Sequence, residues 1–131
     1  MSPTVNREYW NEYFKTYNHK QYDELVNNFY TENATFQNPK YRLRGRREIA
    51  DFFKEQHKEV TEELTPITVT ITPELAALEL DAVFSSAKEL PDFYVMPLPR
   101  GVKIKMQMAA FYHLVGDRIA HARVYWMRPT R

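Results

Sequence analysis

Apolar residues recur at two different periods along this chain, and the change of period divides it. Trp10, Tyr13, Phe14 and Tyr17 fall at i, i+3, i+4 and i+7, which predicts a helix over 7–17. Asn6 or Thr4 is placed to cap its start. Leu25, Val26, Phe29 and Tyr30 mark a second helix over 20–30, with Asn18 and Gln21 spaced as a capping box. So few residues join the two that an antiparallel helical hairpin is expected. A third helix is predicted over 46–60, after Gly45. Its inner face is Ile49, Phe52, Phe53, Gln56 and Val60, and His57 lies at the edge of that face.

Elsewhere the period is two. Ala34–Gln37 reads as a short strand that ends at Asn38-Pro39, because proline cannot donate to a ladder and restricts the residue before it. Ile67, Val69 and Ile71 alternate with Thr68, Thr70 and Thr72. In the strand over 75–87, Leu78, Leu80, Ala82 and Phe84 take one side; Glu79, Asp81, Val83 and Ser85 take the other. Residues 102–115 and 118–128 flank the turn Gly116-Asp117 and predict a hairpin. Pro91, Pro97 and Pro99 make 90–100 an irregular excursion. Helices first, then a meander of long strands, is an α+β pattern. The expected architecture is three helices on one face of a curved, mostly antiparallel sheet, enclosing a conical pocket in a single domain over 1–131.

Composition narrows the function classes. With 44% hydrophobic and 15% aromatic residues the chain is globular. A formal net charge of +1 argues against an electrostatic nucleic-acid binder. The basic stretch Lys40–Arg47 reads as a solvated loop and helix start, with an anionic partner as the alternative. There is no cysteine, so no disulfide frame or thiol-based metal site exists. No run reaches the ~20 apolar residues of a membrane span, and the first residues lack the apolar core of a signal peptide. A cytoplasmic location without a membrane partner is expected. No histidine or carboxylate spacing reads as a metal site, and no cofactor is expected.

Candidate chemistry follows from strand parity. Asp81 is expected to point with Val83 into the pocket, where an apolar wall disfavours a charged carboxylate, the condition for acid–base work near neutral pH. The alternative is an exposed sheet face. Glu79 shares that side, either beside Asp81 or nearer the mouth. Asn38 offers an amide that donates and accepts, suited to positioning water or a carbonyl; it is equally a turn former. His57, reaching in from the third helix, is the second acid–base candidate, or a helix-edge group near solvent. His19 is expected to face solvent, and His113 and His121 to lie on the outer sheet face. The expected cavity wall is Tyr13, Tyr17, Phe36, Phe53, Met106, Met108, Tyr112 and Trp126, with Ile104, Ala110 and Val124. Such a wall suits a greasy ligand, and its plain alternative is ordinary core. Phe93, Tyr94 and Met96 in the proline-rich segment are placed to cover the mouth, to pack as a loop, or to meet a second copy.

The early Tyr9-Trp10-Asn11-Glu12-Tyr13-Phe14 helix and Phe29-Tyr30-Thr31-Glu32-Asn33-Ala34-Thr35-Phe36 are joined by Asn38-Pro39, Gly45-Arg46 and Gly116-Asp117-Arg118-Ile119. With Arg123-Val124-Tyr125-Trp126 they make the chain resemble the NTF2-like superfamily, in particular its SnoaL-like and limonene-epoxide-hydrolase-like branches. The resemblance covers nearly the whole chain. It implies a cofactor-independent enzyme acting on a small hydrophobic molecule of polyketide or terpenoid type, by cyclisation, isomerisation or dehydration in secondary metabolism. It also implies a homodimer through the outer sheet face. Asn38 matches the epoxide-hydrolase asparagine that helps hold the attacking water, and Asp81 matches that branch's acid. Glu79 stands where its arginine would be, Val124 and Met127 stand where acids often are, and the isomerase branch's aspartate is Asn38 here. Epoxide opening by Asp81 with a water on Asn38, and a non-catalytic binding or assembly module, are the alternatives.

Overall fold

The computed structural model describes residues 5–127. Helices α1 (Arg7–Asn18), α2 (Tyr22–Phe29) and α3 (Arg46–Gln56) pack on one mixed sheet of strands β1 (Tyr30–Gln37), β2 (Arg42–Arg44), β3 (Val60–Ile71), β4 (Leu75–Ser86), β5 (Ile104–Val115) and β6 (Arg118–Trp126). The order across the sheet is β2-β1-β6-β5-β4-β3. β1 runs parallel to β6, and the other neighbours are antiparallel. This is the expected α+β arrangement, with the sheet left open at both edges.

Helix ends differ from the periodicity reading in instructive ways. Asn6 does cap α1, its Oδ1 accepting from Tyr9 N at 3.0 Å; Thr4 lies outside the described residues. The cap of α2 is Gln21, with no side-chain bond. Asn18 instead bridges to the open edge of the sheet, donating to Leu64 O at 3.0 Å and accepting from Leu64 N at 2.9 Å. α2 stops at Phe29, so Tyr30 begins β1 rather than ending a helix face. α3 stops at Gln56, and the helix predicted to 60 gives way to β3 at Val60. His57 becomes the C-cap of α3, and its carbonyl accepts from Lys20 Nζ at 2.9 Å. The basic stretch contains a short strand, β2, with Leu43 buried between exposed Arg42 and Arg44.

Alternation along β4 and β5 sets which face meets the helices. Ala76, Leu78, Leu80, Ala82 and Phe84 are buried, as are Met106, Met108, Ala110, Tyr112 and Leu114 opposite them. The core between sheet and helices is unusually rich in rings. Trp10 stacks on Tyr112 at 4.6 Å between centroids, and Phe53 packs edge-on to Tyr17 and Phe36 at 5.3 and 5.2 Å. Rings of this size bury the most apolar area per residue and fix their neighbours by edge-to-face geometry.

Candidate active site

Two titratable side chains are buried together in this aromatic core. His57 is 1% exposed and Glu62 7% exposed, and His57 Nε2 lies 3.3 Å from Glu62 Oε1. His57 is delivered by the end of α3 and Glu62 by the start of β3, five residues later. That approach exists only because the helix ends at Gln56. Three tyrosines complete the cluster. Tyr17 OH donates to Glu62 Oε1 at 2.7 Å, Tyr94 OH lies 3.2 Å from His57 Nε2, and Tyr22 OH lies 3.3 Å from His57 Nδ1. Phe53 stacks on the imidazole at 5.8 Å.

Burial decides the protonation of this pair. It pushes the Glu62 carboxyl up to about 7, against the smaller opposing effect of the Tyr17 hydrogen bond. It pushes the His57 imidazole down to about 3, with the Lys20 ammonium adding in the same direction. An isolated buried charge is costly, so the pair is most stable neutral, holding one proton on the carboxyl beside a bare imidazole nitrogen. A carboxyl that titrates near neutral pH has the acid strength a general acid or base needs. Tyr17 supplies a hydroxyl that steadies the carboxylate whenever the proton leaves.

The cavity next to this pair is lined from every layer. Tyr13, Phe14 and Tyr17 come from α1, Phe36 from β1 and Phe53 from α3; Leu80, Met108, Tyr112, Val124 and Trp126 come from the sheet. Glu62, Leu64, Asn38 and Tyr94 complete it. About 30 Å³ is open to the centre of a water molecule, room for two or three waters at about 10–15 Å³ each. Asn38 Oδ1 accepts from Lys40 N and Tyr41 N at 2.9 and 2.8 Å. The side chain is therefore both turn former and wall, and its Nδ2 is the donor left for an occupant. No lysine or arginine lines the cavity, so it offers no cation to an anionic ligand.

The structure gathers Asn38, Tyr13, Tyr17, Phe36, Phe53, Met108, Tyr112 and Trp126 around this space; His57 does not line it but is buried against two residues that do, Glu62 and Tyr94. Met106 is buried in the core beside it but does not line it. Asp81 and Glu79 are placed elsewhere. Both are exposed, on the sheet face away from the helices. Asp81 Oδ1 lies 3.5 Å from Gln107 Nε2, and Glu79 Oε1 accepts from Thr68 at 2.8 Å. This corrects the parity reading. The two sides of β4 differ as the alternation predicts, but the leucine side, not the carboxylate side, faces the helices, because that burial removes far more apolar area from water.

Glu62 is the residue that sequence reading missed. It lies between the helix that the periodicity predicts to 60 and the strand that it predicts from 67. The signal available was Val60-Thr61-Glu62-Glu63-Leu64, in which Val60 and Leu64 alternate two by two with a carboxylate between them. His113 and His121 lie on the outer face as expected, paired across β5 and β6 with centroids 5.7 Å apart. His19 is exposed at the end of α1. Among the described residues no group of three His, Cys, Asp or Glu is placed to hold a metal, and no helix is long and apolar enough to cross a membrane.

Comparison with known proteins bears on the fold. The chain superposes on a candidate polyketide cyclase from Pseudomonas putida KT2440, with a TM-score of 0.77 and 22% identity, covering 97% of this chain and 92% of that one. It also superposes on a protein of ketosteroid-isomerase-like fold from Catenulispora acidiphila DSM 44928, solved with trimethylamine (TM-score 0.74, 10% identity, 95% and 86% covered). An epoxide hydrolase of limonene-epoxide-hydrolase type from M. tuberculosis gives a TM-score of 0.70 at 12% identity, over 92% of this chain and 80% of that one. At these identities the likeness is one of fold. No curated protein sequence matches the chain. The family model for the SnoaL-like domain matches residues 10–122, and by that span the chain belongs to the SnoaL-like domain family, on the NTF2-like fold.

Proposed function

We propose that this protein is a cofactor-independent acid–base enzyme acting on a small, uncharged hydrophobic molecule, with Glu62 as the group that moves the proton. The observation that supports this most is a buried carboxyl held near neutral acid strength, 3.3 Å from an imidazole and facing an aromatic cavity. In this reading Glu62 takes a proton from carbon next to a carbonyl. His57 Nε2 accepts or returns that proton, Tyr17 orients the carboxyl, and Asn38 Nδ2 donates to the carbonyl as charge develops on its oxygen. Proton movement of this kind serves isomerisation, cyclisation or dehydration alike, reactions that fit the cyclase and isomerase character of the fold's relatives. Asp81 has no part in it, since it lies on the far side of the sheet.

The test is proton exchange. A panel of enolisable ring ketones and 1,3-diketones is incubated with the protein in D₂O, and loss of the α-proton signal is followed by NMR. The wild type is expected to accelerate exchange of at least one member, with the rate rising as pH passes about 7, and Glu62→Gln to lower that rate at least about a hundredfold. Equal rates for the wild type and Glu62→Gln would remove Glu62 as the proton carrier. No acceleration of any member would favour a binding module.

The outer sheet face is proposed to join two copies. Arg42, Arg44 and Arg123 lie with His113 and His121 on its β2-β1-β6-β5 side, while Glu79 and Asp81 lie on β4. A two-fold axis along β5 would set the cationic side of one copy over the acidic strand of the other.

A further inference from the structure

The cavity poses a problem of size. About 30 Å³ is far below the about 300–1,000 Å³ of ordinary ligand pockets, so a substrate enters only if part of the wall leaves. Twelve of the fourteen wall residues sit on α1, α3 or the five long strands, where leaving means unfolding an element. Asn38 is held in its turn by two backbone donors. Tyr94 remains. It lies in the irregular segment between β4 and β5, which belongs to no helix or long strand; its backbone ties include the Leu90–Leu98 bridge, 2.9 Å in both directions, and Gly101 N to Ser86 O at 2.8 Å, and its Phe93, Val95 and Leu98 are buried with Tyr94. Beneath Leu90–Phe93, against the end of α3, a separate cleft of about 280 Å³ gives the segment space in which to move.

We infer that Tyr94 is a built-in occupant of the active site, a phenol that the substrate must displace and that reports the substrate's shape. Its ring is held edge-on by Phe52 at 5.2 Å and Trp126 at 5.9 Å, with Tyr41 at 5.7 Å. Its hydroxyl sits 3.2 Å from His57 Nε2, on the nitrogen that also faces Glu62. A flat ring wrapped by rings, with one oxygen against the dyad, is what the site accepts from its own chain. The same contacts suit a substrate with a planar portion about one ring wide, ending in a hydroxyl, enol or carbonyl oxygen. Tyr94 then sets specificity: it excludes molecules that lack an oxygen able to replace its own at His57, and its segment, clasped at Leu90 and Leu98, lifts as a unit to admit those that have one. This deepens the reading of Glu62 and His57 as the acid–base pair, but its test needs no turnover.

The experiment is replacement of the missing side chain. Tyr94→Ala in the full chain is titrated with p-cresol, which is the tyrosine side chain itself, and with toluene, which lacks only the oxygen. Binding is followed by tryptophan fluorescence and by the NMR shifts of the His57 ring nitrogens. Tyr94→Ala is expected to bind p-cresol at least tenfold more tightly than the wild type does and several-fold more tightly than it binds toluene, with the His57 nitrogens moving. Tyr94→Leu, which keeps apolar bulk in the segment, is expected to show the same order and stands in if the alanine variant does not fold. Equal affinity of the wild type and both variants for p-cresol would overturn the inference, as would equal affinity of the variants for p-cresol and toluene. If p-cresol binds as expected while Glu62→Gln leaves carbon-acid exchange untouched, the role of Tyr94 stands and the catalytic reading falls. If exchange depends on Glu62 but p-cresol does not bind, only the role of Tyr94 falls.

Discussion

Glu62 and His57 depart from their ordinary acidities in opposite directions, and the two effects nearly cancel in the middle of the pH scale. From 4.5 Glu62 rises to about 7, and from 6.5 His57 falls to about 3. Between about 4.5 and 6.5 the folded chain holds one proton, on Glu62, and the unfolded chain also holds one, on His57. Stability is therefore flat there. As pH falls from about 4.5 to 3 the unfolded chain binds a second proton that the folded chain refuses, so stability drops, by about 2 kcal/mol at 1.36 kcal/mol per pH unit. Above 6.5 the folded chain keeps its proton until about 7 while the unfolded chain has lost its own, so stability declines slightly. Urea midpoints measured from pH 3 to 8 are expected to follow this plateau with a steep acid side. In His57→Gln only the Glu62 effect remains, and stability should instead rise as pH falls from about 7 to 4.5. A variant whose curve keeps the wild-type form would show that His57 is not the source of the acid limb.

At the scale of elements, the join between α1 and β3 deserves a test of its own, because it holds Tyr17 over Glu62. β3 is an edge strand, and Asn18 closes part of that edge by pairing with both backbone groups of Leu64, as a neighbouring strand would. Two residues upstream of Leu64 is Glu62; one residue before Asn18 is Tyr17. Asn18→Ala leaves a part-buried N–H and C=O without partners, at a cost of about 1–3 kcal/mol, read as a shift in thermal or urea midpoint. It is also expected to raise amide exchange at Leu64 and to loosen the Tyr17–Glu62 hydrogen bond. A variant as stable as the wild type would mean that water replaces both bonds fully.

For the whole molecule, the outer sheet face is what separates a lone cone from an assembly. Arg123 lies over the Phe111 ring at 5.5 Å and reaches His113 Nε2 at 3.1 Å, yet its Nε is buried with no hydrogen-bond partner. Beside it Tyr125 is 49% exposed. Arginine and tyrosine are the residues that anchor interfaces. Light scattering at micromolar concentration is expected to give twice the mass of one chain, and Arg123→Glu, which sets like charge over the partner's Glu79 and Asp81, to give one. A monomeric wild type would end the dimer proposal.

Much of this protein was legible in order along the chain. The helix of Trp10, Tyr13, Phe14 and Tyr17, the alternation of β4, the turn at Gly116-Asp117 and the α+β layering all follow from local periodicity, because burying one face of an element demands a repeat that matches its geometry. The aromatic wall was legible for the same reason. What the chain could not say by itself was which face of β4 turns inward, where α3 stops, and that Glu62 would meet His57. Each depends on contacts between segments distant in sequence: Lys20 on the His57 carbonyl, Asn18 on the β3 edge, Tyr94 folding back over α3. Alternation specifies that two faces differ. Only packing against the helices decides which one becomes the floor of the cavity, and so places Asp81 in water and Glu62 in the core.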